Sequence, residues 1–546
     1  MFSKVLSAVL LGFSLLNAQD LVSSALINFD STKTGLSNPK NIKIYNLGSA
    51  PFSGKISFQD RLVFSAADSI VSIPAGDSIS VTFSFAPKSN ILYQSYCVLM
   101  NPDSSSALAI GLRGAGYFGD SYDATTYNKY DVSLKAALTA LVINHTSLGY
   151  NTARDRMFET IDDYGGDTIE CVYTGKKIYA TTRTIAQNLG FNTEHTWPQS
   201  AFNSADPMVS DLNHLYPTDA TPNSIRSNYP FGWVVSGVTW SVGGSRLGKD
   251  ANNATVFEPR DIHKGNVART MLYFILRYTS NYGTFLDAPQ EKAYREWNKL
   301  DTVESRERRR NNYLQQYQGK RNPLIDHPEF TDRIYSFLTA TNRPVITSGS
   351  VYPKRVSFDT VNAGETAPVS LYLVNTGSGT IKLDSVSVSG MMIAAYSSLI
   401  LQPGENERIR ISFIPQSAGN YQGIIKVYSG AMSFSIPFTC VALPVTKADE
   451  RTDSKTEISI VNHPNPFSSS TIISYQLPVS GNAILKVYDI LGGEVATLVN
   501  EEKTAGKYEI EFSSAGTDRN SIPNGIYICE LQSGNKRVFK KILLLR

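Results

Sequence analysis

Glu194 and His195, adjacent within Phe191-Asn-Thr-Glu-His-Thr-Trp-Pro-Gln-Ser200, are the residues best placed to do chemistry. On an extended strand neighbouring side chains point to opposite sides, so a carboxylate and an imidazole in sequence can address two parts of one site. That pairing suits a metal ligand beside a general base. A second polar run follows, from Asp211-Leu-Asn-His214 through Pro222-Asn-Ser-Ile-Arg-Ser-Asn228 to Gly232, and Asn, Asp, Arg and His are denser in it than a turn requires. The two runs read as halves of one site split by a short loop. The zinc-protease pattern His-Glu-x-x-His and paired Cys-x-x-Cys are both absent. Oxygen donors such as Glu194 and Asn223 instead favour a hard cation, Mg2+ or another divalent ion, that keeps several waters and bridges to phosphate. Phosphoryl transfer is the reaction class that follows. Asn223 carries a second reading, because Thr221-Pro222 before it looks like a helix entrance and would make Asn223 an N-cap.

These residues need elements to position them. From about 117 to 342 the apolar spacing is helical: Leu134, Leu138, Leu141 and Val142 fall on one face, as do Val267, Met271, Phe274 and Ile275. This block also holds His145, His195, His214, His263 and His327, five of the six histidines. On either side the pattern changes to short alternating runs such as Ser78-Ile-Ser-Val-Thr-Phe-Ser-Phe85, separated by Gly, Pro, Asn and Ser, as half-buried strands require. The two flanks echo each other. Phe29-Asp-Ser31 with Asn46-Leu-Gly-Ser49 is matched by Phe358-Asp-Thr360 with Asn375-Thr-Gly-Ser378, and Phe85-Ala-Pro87 by Phe413-Ile-Pro415. Repeated strand-rich units of this size predict two immunoglobulin-like β-sandwiches.

With 546 residues the chain is too long for one core. Its formal charge of +3 supplies no global field for a polyanion, so any nucleic-acid contact must be locally basic. Met1-Phe-Ser-Lys4, an apolar run from Val5 to Leu16 and Asn17-Ala18 follow the plan of a secretory signal peptide, and the run is too short for a membrane span. No integral membrane segment is expected once the signal is removed. Cys97, Cys171, Cys440 and Cys529 show neither metal-ligand nor framework spacing and read as buried thiols rather than a domain-crossing disulfide. A polar linker leads to a last strand-rich module carrying Asn462-His-Pro-Asn-Pro-Phe467, Ala483-Ile-Leu-Lys-Val-Tyr-Asp-Ile-Leu-Gly492 and a terminal Lys540-Lys-Ile-Leu-Leu-Leu-Arg546.

In this order and at the extreme C-terminus, those phrases resemble the sorting domain of the type IX secretion system. The resemblance implies the type IX machinery as a partner, passage through the periplasm and a secreted or cell-surface location. The central block resembles the bacterial endonuclease I family of secreted and periplasmic nucleases over roughly two hundred residues. Glu-His-x-x-Pro, Asp-Leu-x-x-Leu-x-Pro and Asn-x-x-Arg-Ser-Asn-x-x-Phe-Gly are all present, and Phe257-Glu-Pro-Arg-Asp-Ile-His-Lys-Gly265 and Gln318-Gly-Lys-Arg-Asn-Pro-Leu-Ile-Asp-His-Pro328 support them.

That resemblance implies a ββα-metal core, or His-Me finger, and an endonuclease acting on DNA, RNA or both with little sequence specificity. His195 would be the general base towards the attacking water, and Glu194 and Asn223 would hold one metal ion that steadies the transition state and protonates the leaving 3′ oxygen through a bound water. Some members place a phosphate-stabilising arginine between the two halves, but 199–210 holds no Arg or Lys. Arg226, one helical turn beyond Asn223, is the replacement expected. Arg226 and Asn228 are read as substrate contacts, with Arg310 in the basic run Arg306-Glu-Arg-Arg-Arg310 as a phosphate contact. Asn213 and His214 either shape the site or touch substrate, and His263 and His327 read as structural.

The expected fold class is multidomain, with a mostly helical α+β nuclease domain flanked by sandwiches. The expected divisions are a signal peptide over 1–18, sandwiches over 20–116 and 348–443, the nuclease domain over 117–342, a linker over 444–456 and a small β-sandwich for sorting over 457–546. A surface adhesion or scaffold protein with an inactive nuclease-like domain is the competing reading, and the intact Glu194, His195 and Asn223 set argues against it.

Overall fold

The computed structural model describes residues 21–48, 50–278, 286–444, 458–465, 467–489, 493–515, 522–523, 525–534 and 536–544. The expected signal peptide and, beyond Pro444, the expected linker lie outside them. The chain divides into two compact units, 1–444 and 445–546.

Within the first unit, each strand-rich flank forms a two-sheet sandwich. In the first, Leu21–Val22, Asn38–Asn46, Ser78–Phe85 and Phe64–Ala66 make one sheet, and Leu26–Asn28, Ala107–Tyr117, Leu92–Met100, Phe52–Phe58 and Ile70–Ile73 the other. The second pairs Gly349–Tyr352, Ala367–Asn375, Asn406–Phe413 and Met392–Ala395 against Val356–Asn362, Met432–Leu443, Gly419–Ser429 and Ser385–Ser387. Alternation buries one face of each strand, as in Met432–Leu443, where every second residue from Ile436 to Ala442 is inside. The sequence echo has a physical cause. The ring of Phe29 lies 5.6 Å from Phe85, and that of Phe358 lies 5.2 Å from Phe413. Asn46 and Asn375 are both fully buried and bind the backbone alike. The Asn46 amide nitrogen donates to the carbonyls of Ala50 and Ile73 at 2.8 and 3.2 Å, and the Asn375 amide to those of Gly379 and Leu401 at 2.8 and 2.9 Å. In each, Oδ1 accepts the backbone N–H two residues on, at 3.0 Å. The sandwiches touch: Gly404, at φ +77°, lies where a Cβ would come within 2.4 Å of the Ser95 carbonyl.

Between them lies the block that holds the site. Its labelled elements are α1 (Asp131–Val142), α2 (Tyr150–Arg156), β1 (Thr168–Glu170), β2 (Lys177–Tyr179), α3 (Arg183–Asn188), β3 (Phe191–His195), β4 (Leu215–Asp219) and α4 (Ala220–Arg226), followed by β5 (Ser236–Val242), β6 (Ser245–Lys249), β7 (Thr255–Glu258), α5 (Asp261–Arg277), α6 (Ala288–Leu300) and α7 (Ser305–Gln318). α1 buries Leu134, Leu138 and Val142, and α5 buries Val267, Met271 and Phe274. The Trp197 ring, just after β3, stacks on Phe274 at 4.6 Å and fastens the site strand to the α5 core.

The structure corrects the expected fold class: strand accounts for 43% and helix for 20%, so the protein is mostly β, not mostly helical. The long helices α1 and α5 dominate the sequence pattern because several turns repeat one apolar face. Strands of three to five residues such as β1 to β4 offer too few positions to show alternation, and most of the strand lies in the flanking sandwiches and the sorting module.

The second unit also has two sheets. Ser459–His463, Ser470–Leu477 and Gly506–Ser513 form one sheet, and Glu494–Lys503, Gly481–Tyr488, Gly525–Ser533 and Lys536–Leu544 the other. Asn465 ties the first phrase of this module to its last strand, donating to the Lys541 carbonyl at 3.0 Å and accepting from Leu543 N–H at 2.8 Å. All four cysteines, two of them in the sandwiches, are buried and form no disulfide.

Because Asn46 and Asn375 each satisfy several buried carbonyls, Asn46→Ala and Asn375→Ala should each destabilise the protein by about 2 kcal/mol. The check is the midpoint of urea unfolding, and an unmoved midpoint in both variants would remove these residues as anchors of the sandwich turns.

Candidate active site

β3 and β4 pair antiparallel, with Glu194 opposite Tyr216 and His195 opposite Leu215, and the chain passes directly from β4 into α4. This strand, strand, helix arrangement brings Glu194, His195 and the α4 residues together. Both strand residues are buried, each against a different set of partners. Tyr173 donates to Glu194 Oε1 at 2.7 Å, and Arg226 Nη1 lies 3.2 Å from the same oxygen. Burial raises the Glu194 pKa, and Arg226 and Tyr173 act against that rise.

His195 is held at both ring nitrogens, Nε2 at 3.1 Å from the Val209 carbonyl and Nδ1 at 3.1 Å from Gln199 Nε2. A carbonyl only accepts, so Nε2 carries the proton and Nδ1 presents its lone pair to the Gln199 amide. Burial, reinforced by His214, holds the imidazole pKa down to about 3, so the ring is neutral throughout the physiological range. Behind it His214 is fully buried, its Nε2 donating to the Met208 carbonyl at 2.6 Å. Asp211 anchors this layer by accepting from Tyr273 and Tyr278 at 3.2 and 2.9 Å. Burial raises its pKa, but His145, His214 and the Asn213 donors outweigh that and hold it below the usual carboxylate range.

α4 is capped by Asp219, which accepts from Thr221 N–H at 2.9 Å. Asn223 lies inside the helix, so the N-cap reading of Asn223 is corrected. Its amide nitrogen donates to Asn192 Oδ1 at 2.9 Å and to the Thr193 carbonyl at 3.4 Å. Thr193's carbonyl cannot donate, which orients the amide and leaves Oδ1 as its outward end. The expectations for two arginines are also corrected. Arg226 is 1% exposed and donates to the carbonyls of His195 and Thr196 at 3.2 and 2.7 Å, with its guanidinium 4.5 Å from the Phe231 ring. Arg310, likewise buried, pairs with Asp162 and donates to the Leu212 carbonyl at 2.6 Å. Neither guanidinium is open to a phosphate, because α4 and α7 turn these positions inward. Asn228 is exposed just past α4, and Asn213 and His214 are buried.

Sequence reasoning missed three residues. Gln199 follows His195 by four positions within the quoted phrase, and that proximity was the available signal. Tyr173 and Tyr150, the latter with its ring centroid 5.5 Å from His195, arrive from distant segments that no local pattern marks.

Residues 131–329 match the family Endonuclease I, and residues 462–545 match the Secretion system C-terminal sorting domain. The extracellular ribonuclease of Bacillus subtilis (strain 168) is 32% identical over 255 residues, covering 42% of this chain and 84% of the relative. The chain belongs to the endonuclease I family. A second extracellular ribonuclease, from Bacillus amyloliquefaciens, is 33% identical over 245 residues, 39% of this chain and 80% of its own length. An extracellular deoxyribonuclease of Aeromonas hydrophila is 29% identical over 120 residues, 22% of this chain and 50% of that protein. This endonuclease carries its sorting domain at the C-terminus and is secreted or displayed at the cell surface. Among the described residues no helix is long and apolar enough to cross a membrane.

The endonuclease domain buries several histidines in neutral form. Burial pushes His195 and His263 down to about 3 and lowers His145 and His214. The unfolded chain protonates these rings near 6.5, so their contribution is complete above that value and is lost as pH falls from 6.5 towards 3. For His195 and His263 the loss is about 1.4 kcal/mol per pH unit each. His327 runs the other way: burial lowers its pKa, but Glu329 and Asp120 outweigh that and raise it. Thermal unfolding between pH 7.5 and 5 should therefore show Tm falling as pH drops below 6.5. A Tm that stays level or rises would contradict the buried neutral state.

Proposed function

We propose that this enzyme hydrolyses phosphodiester bonds of DNA, RNA or both with little sequence preference, with His195 as the general base. The observation that carries this reading is the Nε2–H bond to the Val209 carbonyl, which leaves Nδ1 unprotonated beside Gln199. A water seated at the Gln199 amide would stand within reach of that lone pair. Once it takes the proton, the ring becomes an imidazolium in a buried setting, and the anionic scissile phosphate offsets the cost of that charge. Relatives named for ribonuclease and for deoxyribonuclease support both substrates, and a site reading phosphate and sugar carries little base information.

Glu194 and Asn223 are the residues that would hold a divalent cation, Mg2+ being the ion best suited to them. A carboxylate and an amide oxygen are hard donors, and among the described residues no group of three His, Cys, Asp or Glu gathers to make a closed protein cage. Such a sparse donor set fits an ion that retains waters. When bound, it supplies Lewis-acid stabilisation of charge on the phosphate. Arg226 then orients Glu194 instead of touching substrate. The layout that goes with this reading is a nuclease domain over 117–342 between sandwiches over 20–116 and 348–443, followed by the sorting domain over 457–546.

His195→Ala should lower turnover of plasmid DNA or RNA by about 10² to 10⁴-fold while leaving nucleic-acid binding in chelator close to normal. Near-normal turnover would sink the assignment. Chelator should abolish wild-type cleavage and added Mg2+ restore it. Since Asp219 supplies the cap, Asn223→Ala should cost little stability without metal yet raise the Mg2+ midpoint strongly, and an unchanged midpoint would take Asn223 out of the metal site.

A further inference from the structure

With Arg226 and Arg310 turned inward and 199–210 free of Arg and Lys, the cation facing the scissile phosphate has to come from another element. α2 supplies one. The Arg154 guanidinium lies 4.1 Å above the Tyr150 ring, and that ring lies 5.5 Å from the imidazole of His195. Tyr150 also lies near Gln199, the residue that holds His195 Nδ1. Arg154 therefore stands on the side of His195 that carries the lone pair.

Its charge is uncompensated. Arg154 Nη2 donates to Asn151 Oδ1 at 2.6 Å, and Arg183 Nη1, from the start of α3, donates to the same oxygen at 3.0 Å. Arg183 is neutralised by Asp155 at 2.8 Å. Among the described residues Arg154 pairs with no carboxylate, and its Nε is buried with no acceptor. Two guanidiniums gathered on one neutral oxygen repel each other, and a buried donor without an acceptor is costly. An anion bound between α2 and His195 relieves both. Arg226, Arg269 and Arg310, by contrast, each have a carboxylate partner.

We propose that Arg154 contacts a nonbridging oxygen of the scissile phosphate, with Asn151 and Arg183 as positioning residues that aim it. This rests on the reading of His195 as the base. Arg154 thus takes the phosphate-stabilising role that Arg226 cannot fill.

The test uses the full secreted chain with Mg2+ on plasmid DNA and on RNA. Arg154→Ala should lower kcat about 100-fold, as loss of one donor to a developing charge does. Arg154→Lys should recover part of that loss. In chelator, the slope of log affinity for duplex DNA against log salt should shrink by about 0.9, the share of one phosphate contact, which a merely structural arginine would not move. Arg154→Gln, which keeps the hydrogen bond to Asn151 within reach, covers the case in which the alanine variant fails to fold. Arg154→Ala or Arg154→Gln with kcat within threefold of wild type, or with an unchanged salt slope, would overturn the proposal. His195→Ala assayed alongside keeps the two readings apart: its inactivity beside a fully active Arg154→Ala rejects Arg154 alone, whereas an active His195→Ala rejects the base.

Discussion

Arg226 is the constraint on which the site depends. One buried guanidinium meets the Glu194 carboxylate, the carbonyls of His195 and Thr196 and the face of Phe231, and so locks α4 to the end of β3. Removing either partner of such a pair leaves an uncompensated buried charge, a loss of about 3–5 kcal/mol. The pair also sets the chemistry. It works against the rise that burial gives the Glu194 pKa, and it fixes the backbone from which the His195 ring projects. Asn223, one turn earlier on α4, is carried to its place beside β3 by the same clamp.

Around this clamp the domain is built to be dry. Trp197 stacks on Phe274, His214 and Asp211 close the floor, and the His195 ring is 4% exposed. Low polarity weakens the imidazole as a free base, yet it strengthens every charge interaction once an anionic substrate enters. The same burial that places the lone pair sets a lower pH limit on the fold, because each neutral histidine inside is a proton that only the unfolded chain accepts.

The sandwiches show a different economy of means. Two buried asparagines and two pairs of phenylalanines recur at matching places, which explains why the echo was visible in sequence: those residues serve backbone geometry and core packing that both units need. The fold class differs from the expected one because the sandwiches and the sorting module, not the centre, hold most of the strand, and within the centre β1 to β4 carry only three to five residues each beside the longer helices.

The sequence alone determined which residue types could do chemistry and in what order they come. Glu194 next to His195, Asn223 beyond them, the terminal sorting phrases and the repeat of the flanks were all readable there, because each depends on short-range spacing or on local backbone demands. Tertiary structure decided which charges face inward. Arg226, Arg310 and Arg154 are indistinguishable as letters, and nothing in spacing says that α4 and α7 turn two of them into the core while α2 sets the third beside His195. That outcome comes from packing between elements far apart in the chain, where burial and the supply of acceptors determine whether a guanidinium holds the protein together or is left open to an anion.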